Sequence, residues 1–110
     1  AAIANFDLLQ ACVEVLKTTT VNYKVGNVFS SDLFYRPNEN DYTLMAKYGV
    51  LGVEMEVNAL YALAAEHQCR ALALCTVTDH ITQHEHLTAD ERRTDLHEMV
   101  KVALETAIKI

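Results

Sequence analysis

VLGVEMEVNALYALAAEHQCRALALCTVTDH, residues 50–80, decides the fold. It opens on a short apolar run, Val50-Leu51-Gly52-Val53, and passes through Glu54-Met55-Glu56 into an Ala- and Leu-rich stretch, Val57 to His67. It closes on a second apolar run, Arg70 to Val77, with nothing polar to offer solvent at its centre. Apolar runs this short are those of strands covered on both faces, and the stretch between them is long enough for a helix. Strand, helix and buried strand in succession predict an α/β fold with helices on both faces of a sheet.

The flanking sequence extends the alternation. Asn5 precedes Phe6, Leu8, Leu9, Cys12, Val13 and Leu16 at helical spacing and is placed to cap them, and Thr18-Thr19-Thr20 ends that helix. Val21, Tyr23 and Val25 alternate with polar residues at the strand period, Gly26 marks a bend, and Val28-Phe29 continues the strand. Ser30 to Asn40 is a polar loop holding the single proline, Pro37. Asp41 caps a short helix through Tyr48, closed by Gly49. Thr78 to Leu87 reads as a charged, His-rich loop. Thr88-Ala89-Asp90-Glu91 fits a capping box ahead of a final helix to about Ile108, with Leu96, Met99, Val100, Ala103, Leu104 and Ala107 along one side. The order is α-β-α-β-α-β-α in a single segment, 1–110. Three strands are few for a sheet of this kind.

Ligands of open α/β sheets bind beyond the carboxyl ends of the strands. Here those ends are 29–35, 54–56 and 78–80, each carrying polar or aromatic residues. They converge on a plausible pocket.

Composition narrows the function. The chain has 110 residues, with 9 Lys+Arg against 15 Asp+Glu, a net charge of −6. The basic residues are scattered, which argues against nucleic acid as a partner and against an anion site built wholly within this chain. No apolar run reaches the length of a membrane span, and the first residues lack the plan of a signal peptide. Three cysteines, at 12, 69 and 75, form no CxxC pair and lie in apolar segments. They read as reduced core thiols, with a cytoplasmic location as the expectation.

Two constellations carry chemistry. Glu54 and Glu56 stand two apart after a strand, so both can face one way and accept hydrogen bonds from sugar hydroxyls. They can equally be acids favoured by the dipole at a helix start. Asp79, directly after an apolar strand, can have its pKa raised by desolvation, as a general acid needs. It can also be a loop or capping aspartate. His80, His84 and His86 fit no closed tetrahedral metal set, and no metal is expected.

Taken together, VGNVFSSDLFY (25–35), KYGVLGVEMEVNALYALAAE (47–66) and CTVTDHITQHEHLTADERR (75–93) resemble the C-terminal half of the bacterial, hexameric type of purine nucleoside phosphorylase. The resemblance covers nearly the whole chain, with the three blocks in the family's order. The resemblance implies a three-layer α/β/α fold with a mixed central sheet. It implies reversible phosphorolysis of a purine nucleoside by orthophosphate, a co-substrate, with no cofactor. Asp79 would protonate the purine at N7, with Arg92 as its partner. Glu56 would accept from the ribose hydroxyls and Met55 would pack on the sugar. Phe34 would stack on the base, with Val53, Glu54 and Thr78 lining that part of the pocket. Thr78 stands where the family commonly has Ser, and Asn58 where a small Ala or Ser is usual.

The family's phosphate-binding loop, and the groups lent by a neighbouring subunit, belong to the N-terminal half, and their motifs do not occur here. The resemblance thus implies a chain carrying base and ribose sites but completed by a missing half, within a homo-hexamer. Three other functions are weighed against this one. A nucleosidase of the same superfamily would use water in place of phosphate, but the HE…TADERR stretch favours the phosphorylase. A uridine phosphorylase would not need a purine-protonating aspartate. A non-catalytic module would self-associate through exposed sheet edges.

Overall fold

The computed structural model describes residues 1–35, 40–81, 85–86 and 88–110. Helix α1 (Phe6–Leu16) is capped by Asn5, whose side chain accepts from the Leu8 N–H at 3.0 Å. Its other end is closed by the threonines, as expected. The hydroxyls of Thr18 and Thr19 donate to the carbonyls of Val15 and Leu16, each at 2.7 Å, answering helix-end acceptors that lack intrahelical partners.

Strand β1 (Asn27–Ser30), helix α2 (Asn40–Lys47) and strand β2 (Val50–Glu54) form one βαβ unit, and its two strands pair in parallel. The register sets Phe29 against Val53 and Ser30 against Glu54, and the Ser31 N–H donates to the Glu54 carbonyl at 2.8 Å. Two expectations shift here. Strand β1 does not include 21–25: β2 pairs with 27–30 alone, and a segment without a partner has no ladder to join. Helix α2 starts at Asn40, so Asp41 lies inside its first turn instead of capping it. Gly49 closes α2 at φ 87°, a backbone conformation where side chains are strained.

Helix α3 (Val57–Glu66) leaves β2 after only two residues. Segment 70–77, expected to be a buried strand, belongs to no ladder and is only partly covered: residues 71–74 are half-buried and Val77 is exposed. It is held by side chains and isolated backbone bonds. The Ala71 carbonyl accepts from the Asn5 N–H, and the Ala73 N–H donates to the Tyr61 hydroxyl, both at 2.9 Å. Beyond it, β3 (Asp79–His80) and β4 (Glu85–His86) pair antiparallel where a loop was expected.

Helix α4 (Ala89–Lys109) carries the expected capping box: Thr88 Oγ1 accepts from the Glu91 N–H and the Glu91 carboxylate from the Thr88 N–H, each at 3.1 Å. The core lies between α1, α4 and segment 70–77, where Cys12, Val15 and Val102 are buried and Leu16, Leu72 and Leu74 pack against them. The buried line of α4 is thus Val102 and Thr106. Leu96, Val100, Leu104 and Ile108, a stripe at four-residue spacing, are exposed instead. Of the three cysteines expected in the core, only Cys12 is there; Cys69 and Cys75 are exposed.

The accessible surface is 8545 Å² for a 12.3 kDa chain, against roughly 6,100 Å² for a folded monomer of that mass. The radius of gyration, 14.8 Å, exceeds the roughly 13 Å of a compact domain of this length. The helices and the parallel pair therefore leave apolar faces exposed. No helix among the described residues is long and apolar enough to cross a membrane.

Candidate active site

The parallel pairing of β1 and β2 brings two carboxyl ends side by side, Ser30–Tyr35 and Glu54–Glu56. The third end, 78–80, follows segment 70–77. Glu54 lies near enough to Cys75 for its negative charge to act on the thiol. Partial desolvation first, and then that charge, push the Cys75 pKa up. The parallel pair thus brings together two of the three ends that the sequence expected to surround one site.

At the first two ends a single network joins β1, β2 and α3. The Ser30 hydroxyl donates to Glu54 Oε1 and accepts from the Asn58 N–H at 2.9 Å. Glu54 Oε2 accepts from the N–H groups of Glu56 and Val57 at 2.6 and 2.7 Å. Burial alone would raise the Glu54 pKa. The Ser30 hydroxyl and the N–H groups of Val57, Glu56 and Met55 outweigh it and hold the carboxyl below its ordinary range. Of the two readings the sequence left open for these glutamates, Glu54 follows the helix-start one. Glu56 is exposed, and its carboxylate makes no capping bond to α3. Met55 beside it is exposed as well, while Val53 is half-buried in β2.

Past β1, Ser31 is buried and its hydroxyl both donates to the Leu33 carbonyl at 2.9 Å and accepts from the Leu33 N–H at 3.1 Å. That turn sets the direction of Phe34, which is 71% exposed and meets Tyr35 edge-on, with ring centroids 4.8 Å apart. Sequence reasoning passed over Ser30 and Ser31 as loop residues. The signal that singles them out is their position, at the last ladder pair of a parallel strand whose neighbour ends in an acid.

At the third end, Arg92 Nη2 donates to Asp79 Oδ1 at 3.2 Å, and Thr78 Oγ1 donates to Oδ2 at 3.1 Å. Arg92 sits in the first turn of α4, which the capping box fixes. Asp79 is 41% exposed and Arg92 49%. His84 lies outside the described residues, as does Pro37. Among the described residues no group of three or more His, Cys, Asp or Glu is arranged to hold a metal ion.

Two concavities lie elsewhere. One of about 510 Å³ is lined by Leu8, Gln68, Cys69, Arg70, Ala107 and Ile110. The other, about 350 Å³, lies among Leu8, Leu60, Leu72 and Ala103. Both lie beside α1 and α4, and none of the candidate site residues lines either.

A family model described as the phosphorylase superfamily matches residues 1–110. The chain belongs to that superfamily. The chain is 97% identical over all of its length to purine nucleoside phosphorylase DeoD-type 1 of Shewanella oneidensis, of which it covers 47%. It is 70% identical over its whole length to purine nucleoside phosphorylase DeoD-type of Aliivibrio fischeri, covering 46%, and 50% identical over 108 residues to that of Photorhabdus laumondii, covering 45%. The chain thus spans about half the length of these curated relatives. Superfamily membership agrees with the helices and the small parallel sheet described above.

Proposed function

We propose that the protein is a purine nucleoside phosphorylase, converting a purine nucleoside and orthophosphate to the free purine and pentose 1-phosphate. The observation that carries the reading is the triad Thr78–Asp79–Arg92, a carboxyl group at the start of β3 with a guanidinium on one oxygen and a hydroxyl on the other. The names of relatives up to 97% identical support it. In this reading the chain is the C-terminal half of the domain. Its parallel pair is part of a mixed sheet between two helical layers, and segment 70–77 becomes a strand once neighbours lie beside it.

A phosphate oxygen attacks C1′ of the sugar as the bond from C1′ to the purine nitrogen breaks. The bonding pair leaves with the base. Asp79 delivers a proton to N7, so the base departs neutral, and Arg92 stabilises the aspartate that remains. Glu56 accepts from ribose hydroxyls and holds the sugar while positive charge develops on its ring. Met55 packs against the sugar and Phe34 stacks on the base, with Val53, Glu54 and Thr78 lining the base side. Orthophosphate is bound by the other half of the protein; the chain's net charge of −6 agrees with that division. The complete protein is a cytoplasmic homo-hexamer. The surplus of exposed surface and the α4 stripe support contacts with the missing half and with neighbouring subunits.

The test is base release from inosine by a full-length protein in which this chain replaces the matching 110 residues of the Shewanella oneidensis relative. Release that requires phosphate and yields pentose 1-phosphate is the expected result. Release without phosphate would identify a nucleosidase, and no release would overturn the reading.

A further inference from the structure

We propose that Ser30 is a positioning residue for the sugar-binding carboxylate of Glu56, acting through Glu54 and the start of α3; this rests on the ribose role given to Glu56 above. The residue at a helix N-cap ordinarily turns its own side chain back to accept from the N–H groups of the first turn. Glu56 occupies that position with φ −129° and ψ −16°, yet makes no such bond. Other groups have taken the first three donors of this helix start. Glu54, from β2, accepts from Glu56 and Val57, and the Ser30 hydroxyl, from β1, accepts from Asn58. Ser30 also donates to the second oxygen of Glu54, so one hydroxyl locks both halves of the arrangement.

Removing the hydroxyl leaves the Asn58 N–H without its acceptor and Glu54 without its side-chain donor. An unanswered N–H at a helix start seeks the nearest carboxylate. Glu54, released from Ser30, would turn toward the Asn58 N–H and loosen its hold on the Glu56 and Val57 N–H groups, and the backbone that aims Glu56 at the sugar would shift with it. Ser30 therefore governs where Glu56 points without touching substrate.

The experiment is a double-mutant cycle in the full-length protein described above, with Ser30→Ala and Glu56→Gln measured singly and together on inosine plus phosphate. Ser30→Ala should lower kcat/KM about tenfold, chiefly through KM, as expected for one displaced hydrogen-bonding group. In the Glu56→Gln background the same substitution should cost less than about twofold, and Ser30→Thr, which keeps the hydroxyl, should restore most of the parent value. Equal losses in both backgrounds, or no loss in either, would overturn the proposal. If Ser30→Ala does not fold, Glu54→Gln enters the same cycle with the same two outcomes. A parent without phosphate-dependent turnover would instead take down the functional reading, and this inference with it. An active parent whose two effects add sinks this inference alone.

Discussion

Arg92 reaches Asp79 across thirteen residues of chain, Nη2 to Oδ1 at 3.2 Å, with both side chains roughly half exposed. An ion pair as open to water as this contributes little to stability, about 0–1 kcal/mol. Replacing Arg92 by Gln in the full-length protein should leave thermal unfolding nearly unchanged while kcat falls. A fall in Tm matching the fall in activity would show the pair to be structural.

Asp79→Asn keeps the size of the side chain and cannot donate an acidic proton. It should lower kcat on inosine by about 10²–10⁴-fold, the range for a positioned general acid. The loss should be much smaller on 7-methylguanosine, whose base already carries positive charge. Glu56→Gln should slow both substrates alike, because the role proposed for it is on the ribose. Equal damage by Asp79→Asn to inosine and 7-methylguanosine would remove the proton-donor assignment.

Thr88→Ala breaks the capping box of α4 and should cost about 1 kcal/mol of stability. Arg92 lies in the turn that this box fixes, so the substitution should also lower kcat on inosine. Differential scanning calorimetry and steady-state rates on the same preparation check both halves of the statement.

Glu54 and Glu91 are both held below the ordinary glutamate range, Glu54 by the donors described above and Glu91 by the backbone and side chain of Thr88. A carboxyl depressed in the folded state contributes stability that is fully present above its unfolded value, about 4.3 for glutamate. That contribution is lost as pH falls through the depressed folded value. The acid limb of the full-length protein's stability curve should therefore steepen below about pH 4.3, and Glu54→Gln should flatten it. Urea titrations between pH 3 and 6 give the comparison.

The 110-residue chain by itself should show no phosphorolysis and should associate, because the Leu96–Ile108 stripe and the edges of the parallel pair are exposed. Light scattering should give a mass well above 12.3 kDa. A stable monomer would contradict the second half of this expectation.

What the sequence revealed depended on the range of the interactions. Asn5, the threonine run at 18–20, Gly49 and the Thr88–Glu91 box act within a few residues of themselves, and each is where the sequence put it, with only the start of α2 displaced by a residue. The 21–25 and 70–77 segments are different, since a strand exists only when another chain segment lies beside it. The same dependence misled the reading of α4, whose apolar residues cover more than one face, so that spacing alone could not say which face meets α1. Glu54 and Glu56 could not be ranked from sequence because acids serve helix starts and sugars equally well. What separates them is Ser30, twenty-four residues before Glu54 and opposite it in register.

The network at the start of α3 bears on where an anion can go. The N-terminus of a helix is a natural phosphate cradle, with N–H groups pointing outward and a partial positive charge behind them. Here Glu54 already fills that cradle with a carboxylate of the chain's own, and Ser30 takes the next N–H. An anion approaching this helix start meets negative charge and donors already engaged, so this terminus, unlike most, is closed to phosphate.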